Sequence, residues 1–218
     1  MINGMKATYS TRRGGAMFRV VLMMLILMSV SASLPMYAAT PAETLQKCVA
    51  KLKGAKSMRC DFTMTSQGQT LNGTLLTQGK KFSVTAPGHG TWYDGTQICS
   101  YTASTGEATI WIPAASELAE SNPLLYLSAA ADYNVSAGEK AKGVVNLTLT
   151  PKKRGSSVKS IRLTLNASTL LPARMVVMAS TGPITITVKN LKLGAQLSNA
   201  TFAFPRAKYP GVKVTDLR

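Results

Sequence analysis

Short segments rich in threonine, valine, isoleucine and aromatic residues follow one another between Ser57 and Ile112, with only a few residues between them. Residues of these types favour β-strands, and connections this short join antiparallel neighbours. After residue 143 the pattern resumes in four more segments, which read KGVVNLTLTP, VKSIRLTLNAS, LPARMVVMAS and PITITVKNLKLG. Several of them alternate apolar and polar residues, as strands with one buried and one wet face do. The pattern predicts one long antiparallel sheet, and a sheet of that length curls or closes.

A helix is predicted immediately before the first strand. Thr40-Pro41-Ala42-Glu43 has the residues of a capping box, with Pro41 at the first helical position. An apolar stripe then recurs at helical spacing, through Leu45, Cys48, Val49 and Leu52, and Gly54 ends the helix. A helix with one apolar stripe needs a surface to lie on, and the sheet supplies it.

A second helical stretch, from Ala114 to Ala131, is predicted between the two halves of the sheet. Asn122-Pro123 breaks it and starts a piece that is apolar nearly all round, with Leu124, Leu125 and Leu127. Such a helix has to be buried, so we interpret it as a lid.

The segment from Thr91 to Ile112 predicts a sheet with two apolar faces. If Asp94-Gly95 is a two-residue hairpin turn, Trp92 faces Gln97, and Trp92, Cys99 and Tyr101 share one face. Tyr93, Ile98 and Trp111 then lie on the other face. The first helix can cover one face, and the other needs a second cover or an apolar ligand. The predicted fold is therefore mainly β: a single curved, unclosed antiparallel half-barrel with an N-terminal helix and a helical insert over an apolar cavity.

Residues 1–39 have the features of a secretory signal peptide. Basic residues precede the apolar run from Val20 to Val30, and small residues follow at Ala38 and Ala39. The run is shorter than the ~20 apolar residues of a membrane span. We therefore expect an exported protein in the periplasm, with residues 40–218 forming one domain.

The charge and the cysteine content of the chain limit the classes of partner that we expect for it. The predicted mature chain keeps 21 of the 25 basic residues and all nine acidic ones, a balance of about +12 that favours anionic surfaces. Export argues against nucleic acid as the partner. Cys48, Cys60 and Cys99 have no metal-ligand spacing, so buried thiols or one disulfide, Cys60–Cys99, are expected.

Catalytic and metal-binding constellations are not found in the sequence. His89 is the single histidine and lies in a Gly-His-Gly turn, so neither a Ser/His/Asp set nor a Cys/His pair is expected. The few acidic residues lie mostly near turns or helix ends. The prediction is a protein that is no enzyme and that needs no metal or cofactor.

Five segments carry a family resemblance: CDFTM, GKKFSVTAPGHGTWYDGTQICSY, SNPLLYL, LPARMVVMASTG and the ending FAFPRAKYPGVKVTDLR. In their order and spacing the chain resembles the outer-membrane lipoprotein carriers (LolA-like proteins), in the divergent branch typical of Bacteroidetes-type bacteria. The resemblance covers nearly all of the predicted mature chain. It implies an unclosed barrel with a helical lid, which shuttles lipoproteins across the periplasm by holding their acyl chains.

The resemblance also implies partners. Because the chain has no nucleotide motif, an inner-membrane lipoprotein-releasing transporter complex would supply the energy for loading, and an outer-membrane acceptor would receive the cargo. A monomer is expected. In better-studied members an arginine before the tryptophan segment helps to gate the cavity; here the matching stretch has Lys80 and Lys81, which lack the forked donor geometry of arginine.

Candidate site residues divide into a lining and a lid. The predicted lid residues are Leu124, Leu125 and Leu127. The predicted lining of the lipid-binding cavity is Phe82, Trp92, Tyr101, Leu147, Leu163, Met175 and Ile186. Two other functions stay open: a periplasmic phospholipid or glycolipid carrier, and a half-barrel module for sensing or structure that binds no lipid.

Overall fold

The computed structural model describes residues 39–114, 117–118, 121–122, 127 and 130–218. Residues 39–218 form a compact unit. The predicted signal peptide lies outside the described residues, except for Ala39, and so do the lid residues Leu124 and Leu125. No helix among the described residues is long and apolar enough to cross a membrane.

Helix α1 spans Pro41–Gly54 and begins at the predicted capping box. The Glu43 amide donates to Thr40 Oγ1 at 3.2 Å, and the Thr40 amide donates to Glu43 Oε2 at 2.8 Å. Two amides that the first turn leaves without a helical partner are thereby satisfied. The helix buries Leu45 and Cys48, so the predicted apolar stripe is the side that packs.

Within the described residues, twelve strands form one sheet in the order β12-β6-β5-β4-β3-β2-β1-β11-β10-β9-β8-β7. Neighbours pair antiparallel, except that β12 lies parallel to β6. Strands β12 and β7 are the two edges, so the sheet is not closed, and the predicted curved half-barrel is confirmed. The strands are β1 Ser57–Ser66, β2 Gln69–Gln78, β3 Lys81–Ala86, β4 His89–Tyr93, β5 Ile98–Thr102, β6 Glu107–Trp111, β7 Tyr133–Ala137, β8 Val144–Pro151, β9 Val158–Asn166, β10 Pro172–Ala179, β11 Gly182–Leu193 and β12 Lys213–Asp216.

Ten of these strands coincide with the predicted segments, and β7 and β12 do not. Strand β7 lies directly after the helical insert and follows a single 3-10 turn at Ala130–Asp132. Two further 3-10 turns, Asn199–Phe202 and Arg206–Lys208, precede β12. Of the insert itself, Glu117, Leu118, Ser121 and Leu127 are helical among the described residues.

The hairpin between β4 and β5 is longer than predicted. Tyr93 pairs with Ile98, so four residues connect the strands, and Trp92 pairs with Cys99 rather than Gln97. Asp94 Oδ1 closes this connection, because it accepts from the amides of Thr96 at 2.9 Å and Gln97 at 3.0 Å. The predicted and observed registers differ by two residues. A shift of two leaves every side chain on its predicted face.

A bulge at Asn190 keeps the end of β11 apolar on one side. The pairing with β1 shifts between Arg59–Lys192 and Asp61–Lys189, and Asn190 has a left-handed φ of 50°. The extra residue moves Leu191 onto the side that Val188 already occupies. Asn190 Nδ2 also donates to Asp61 Oδ2 at 2.8 Å, which fixes the bulge to β1.

Candidate functional site

One side of the sheet, which we call the inner face, carries a continuous apolar surface. Directly paired residues of antiparallel strands share a face, so the register assigns each side chain. Leu147 pairs with Leu163, Leu163 with Met175, and Met175 with Ile186. Ile186 in turn pairs with Met64 on β1. Five neighbouring strands thus form an unbroken row of aliphatic and methionine side chains.

The inner face continues across the other half of the sheet. Cys60 pairs with Leu75, and Leu75 pairs with Val84. Phe82, two residues from Val84, pairs with Tyr93 and lies 5.3 Å from its ring, centroid to centroid. Phe82 is 1% exposed. Phe82 therefore shares the inner face with the row, but it belongs to a second buried cluster.

Helix α1 and Leu127 of the helical insert lie over the inner face. Leu45 and Cys48 lie in one buried cluster with the row from Leu147 to Ile186, and Leu127 belongs to the same cluster at 1% exposure. Leu52 packs against both clusters, so the helix bridges the two halves of the sheet. The apolar surface of the inner face is therefore shielded from water by side chains of the protein itself.

Two cavities lie on either side of helix α1. The first, of about 210 Å³, has an apolar floor of Val49, Leu52, Met58 and Leu127. The second, of about 600 Å³, lies between the helix and β7 and is lined by Leu45, Val49 and Val135 among others. Val49 lines both cavities, so the helix separates two spaces that lie over the same face.

Four lysines surround the opening of the smaller cavity: Lys53, Lys56, Lys80 and Lys81. Lys53 comes from the end of α1, and Lys56 from the link to β1. Of the two gating candidates, Lys80 comes from the turn between β2 and β3, and Lys81 is the first residue of β3. The Gly79 amide donates to the Lys56 carbonyl at 3.2 Å and ties the link to the turn. The structure thus places the gating candidates beside Leu127. Lys53 and Lys56 were missed by the sequence reasoning, although both follow closely on the apolar stripe of the helix.

Trp92 and Tyr101 lie on the opposite side, the outer face. Trp92 pairs with Ser83 and Cys99, one residue out of step with Phe82 and Tyr93. Phe204 and Tyr209 of the C-terminal segment cover both side chains, with ring centroids 5.3 Å apart for Trp92–Phe204 and 4.2 Å for Tyr101–Tyr209. The register therefore divides the predicted lining: Phe82, Leu147, Leu163, Met175 and Ile186 share the inner face, whereas these two aromatic residues do not. The second cover that the two-faced segment requires is the C-terminal segment.

All three cysteines are free and buried, so the expectation of buried thiols is confirmed, and its alternative, a Cys60–Cys99 disulfide, is wrong. Cys60 lies on the inner face of β1 and Cys99 on the outer face of β5, with three strands between them. Neighbouring strands are ~4.8 Å apart, so the Cα atoms are well beyond the ~7 Å that a disulfide spans. Burial raises the pKa of the Cys60 thiol to about 12 and those of Cys48 and Cys99 to about 11, so all three stay protonated.

The other ionisable groups of the described residues form no candidate metal centre. Among the residues described, no group of three or more His, Cys, Asp and Glu side chains could hold a metal ion. Hydrogen bonds from Asn190 and Thr74 hold the pKa of Asp61 below its ordinary value, so this exposed carboxyl is an acceptor fixed in the sheet. Asp61 thus has a structural role, which is to hold neighbouring strands together by hydrogen bonds.

These features define a β half-barrel with one apolar side under a helical cover. The sequence matches the family described as outer membrane lipoprotein carrier protein LolA over residues 93–205. The chain belongs to the LolA family. Membership assigns it to carriers of lipids or lipoproteins at the level of the family. No curated protein matches the sequence.

Solved structures are similar to the chain at low sequence identity. An uncharacterised conserved protein from Thermus thermophilus is similar at 14% identity and a TM-score of 0.55, over 80% of this chain and 97% of that chain. A DUF1329 family protein from Desulfovibrio piger is similar at 14% identity and a TM-score of 0.47, over 77% of this chain and 99% of that chain. A LolA superfamily protein from Nitrosomonas europaea is similar at 14% identity and a TM-score of 0.41, over 78% of this chain and 100% of that chain.

Proposed function

We propose that the protein is a periplasmic carrier that holds the acyl chains of lipoproteins against the inner face and shuttles lipoproteins from the inner to the outer membrane. The observation that carries the proposal is the aliphatic row from Leu147 to Ile186, which extends over several strands under a cover flanked by two cavities. Membership of the LolA family supports a binding role rather than catalysis.

The smaller cavity is too small for the cargo in the state described. A cavity of ~150 Å³ in another protein holds one benzene molecule, so 210 Å³ accommodates only part of an acyl chain. Entry of a full chain into this cavity therefore requires helix α1 to move. Because Val49 separates the two cavities, a displacement of the helix joins them into one space over the row.

This movement also explains how a carrier releases its cargo. Burial of an acyl chain contributes ~0.8 kcal/mol per CH₂ group, which would hold a long chain too tightly for transfer. Lifting the cover exposes Leu45, Cys48 and Leu127, which are buried in the closed state. Part of the binding free energy is thereby offset. When the cargo leaves, the cover returns and the row is again shielded from water.

The proposal assigns loading and delivery to partners. Loading needs an inner-membrane lipoprotein-releasing complex as the energy source, and an outer-membrane acceptor would complete the transfer. The site residues proposed to contact the acyl chains are Phe82, Leu147, Leu163, Met175 and Ile186, with Leu127 in the lid.

Lipid analysis of the purified protein tests the proposal. The chain is expressed from its full sequence, isolated from a bacterial periplasm without detergent and analysed by native mass spectrometry. Acylated lipoprotein bound in stoichiometric amount supports the carrier role, and phospholipid alone would replace it with a phospholipid carrier. A protein that stays empty and takes up no fluorescent fatty acid would overturn both and leave a sensing or structural module.

A matched pair of variants shows whether the binding occurs under the helix. Val49→Phe fills the space on both sides of α1, so it is expected to weaken the binding of a fluorescent acyl probe at least tenfold. Val176→Phe makes the same change on the outer face, where Val176 pairs with Arg162 and Thr185, and should leave the affinity unchanged. Equal affinities for both variants would place the binding elsewhere.

A further inference from the structure

The smaller cavity combines an apolar floor with a cationic rim. Its floor contains Val49, Leu52, Met58 and Leu127, and its opening has Lys53, Lys56, Lys80 and Lys81. No acidic residue is among the described residues that line it. Of the four lysines, Lys81 has a protein acceptor, because its Nζ donates to Asn199 Oδ1 at 2.9 Å.

Three chain segments bring these lysines together, and the fold holds the segments in place. The end of helix α1 supplies Lys53, and the link to β1 supplies Lys56. Lys80 comes from the β2–β3 turn, and Lys81 follows it as the first residue of β3. The hydrogen bond from the Gly79 amide to the Lys56 carbonyl joins the link to the turn. Like charges so close together repel one another, so an anion between them lowers the free energy of the rim.

From this arrangement we propose that the cavity binds an amphiphile with a negatively charged group next to its acyl chain. The chain lies on the apolar floor under the helix, and the anionic group lies among the lysine ammonium groups at the opening. The inference rests on the proposed function, since it assumes that acyl chains enter beside α1, and it adds the charge of the group that follows the chain. An uncharged head would leave the lysines without a counterion.

The rim also favours one orientation of the ligand. A charged group remains hydrated at the opening and does not enter the apolar floor, because burial of an isolated charge is strongly unfavourable. The lysine stems are apolar, so they extend the floor toward the opening while their ammonium groups stay in water. The acyl chain therefore enters tail first, toward Leu127 and the row of the inner face.

A comparison of two probes with the same tail tests the charge. A fluorescently labelled hexadecanoic acid and its methyl ester are titrated into the protein, which is expressed from its full sequence and stripped of bound lipid. One pair of opposite charges a few ångströms apart in a solvent-exposed site changes an affinity roughly fivefold. With several lysines at the opening, the acid should bind about tenfold or more tightly than the ester. At 1 M salt, where the screening length is about 3 Å, this preference should largely disappear.

Charge-neutralising variants locate the effect. The triple variant Lys53→Gln, Lys56→Gln and Lys80→Gln should bind the acid about as weakly as the ester, with the affinity for the ester unchanged. Lys81 is left intact because it contacts Asn199. The control Lys140→Gln, Lys153→Gln and Lys159→Gln removes the same charge at exposed positions outside the cavity lining, and it should keep the preference for the acid.

The outcomes separate the two proposals. Equal binding of acid and ester to the unmodified protein, or an undiminished preference in the triple variant, would overturn the anionic site and leave the acyl carrier in place. Failure of both probes to bind would overturn the carrier as well. If the preference is found, extraction of phosphatidylglycerol but not phosphatidylcholine from vesicles identifies a phospholipid with a net negative headgroup as the ligand. Selective binding of a diacylated peptide with aspartates, compared with one with serines, identifies acidic residues of a lipoprotein.

Discussion

Substitution of Gly90 by alanine would disturb the outer face without touching the inner one. The Trp92 ring lies over Gly90, and a Cβ atom at Gly90 would be 2.1 Å from Cη2 of that ring. Real atoms do not approach so closely, so the indole has to move. Gly90 is not in the left-handed region, and alanine therefore adds no backbone strain of its own. The cost arises from the displaced ring alone.

The contacts of Trp92 set the magnitude. A displaced ring loses its edge-to-face contacts with Phe204 at 5.3 Å and Tyr209 at 6.1 Å. Aromatic pairs contribute about 0.5–1.5 kcal/mol each beyond the area they bury, and overpacking alone costs about 1–3 kcal/mol. Complete truncation of a buried tryptophan costs about 3–5 kcal/mol. We therefore expect Gly90→Ala to lower the free energy of unfolding by about 2–4 kcal/mol.

Urea unfolding followed by circular dichroism measures this loss, and tryptophan emission reports the environment of the ring. Trp92 is 4% exposed, so displacement should shift the emission to the red. Gly54→Ala is the control, because a Cβ at Gly54 meets nothing within 4 Å. A loss below about 0.5 kcal/mol in Gly90→Ala, with unchanged emission, would refute the packing of Trp92 over Gly90. The affinity for an acyl probe should stay the same in both variants.

Three further changes test separate parts of the fold. Thr40→Ala removes half of the capping box and should lower the free energy of unfolding by about 1 kcal/mol in urea titrations, whereas Thr40→Ser should not. Asn190→Ala has to adopt the left-handed conformation without the bond to Asp61, so it should lose about 1–2 kcal/mol. Asn190→Gly should lose clearly less, and an equal loss would rule out backbone strain at the bulge. The Cys60 thiol, whose pKa burial raises from 9.0 to about 12, should stay unreactive to a disulfide reagent at pH 8 until urea unfolds the protein. As the pH rises, the thiol of the unfolded chain ionises at a lower pH than that of the folded protein. The free energy that the buried Cys60 thiol contributes to stability is therefore complete below pH 9 and is lost between pH 9 and 12. Modification of Cys60 in the folded protein would contradict its burial.

Alternation along the strands made most of the fold predictable. Trp92, Cys99 and Tyr101 lie on one face and Tyr93 and Ile98 on the other, as predicted, although the connection has four residues rather than two. A register error of two preserves faces because the side-chain period of a strand is two. The face on which a side chain lies can therefore be predicted more reliably than the residue with which it pairs.

What covers each face could not be predicted from alternation. Trp92 and Phe82 are both in the predicted lining, but they lie on adjacent strands at positions one residue out of step. The cover over Trp92 comes from Phe204 and Tyr209, about a hundred residues later in the chain, where no periodic pattern marks them. The bulge at Asn190 could not be predicted from alternation either, since it depends on a single residue with a left-handed backbone conformation.

The C-terminal strand covers the edge of β6 and becomes the edge of the sheet in its place. Strand β12 lies parallel to β6, and the Leu217 amide donates to the Ile110 carbonyl at 2.8 Å. The family match ends at residue 205, so this strand lies outside the matched segment. Without it, the backbone of β6 would present a row of unpaired amides and carbonyls, the template on which a strand from another copy can add. The last residues of the sequence thus replace the edge of β6 by that of β12, a strand of four residues with Lys213 and Asp216 at its ends. A short edge strand with charged residues is a poor template for a strand from another copy.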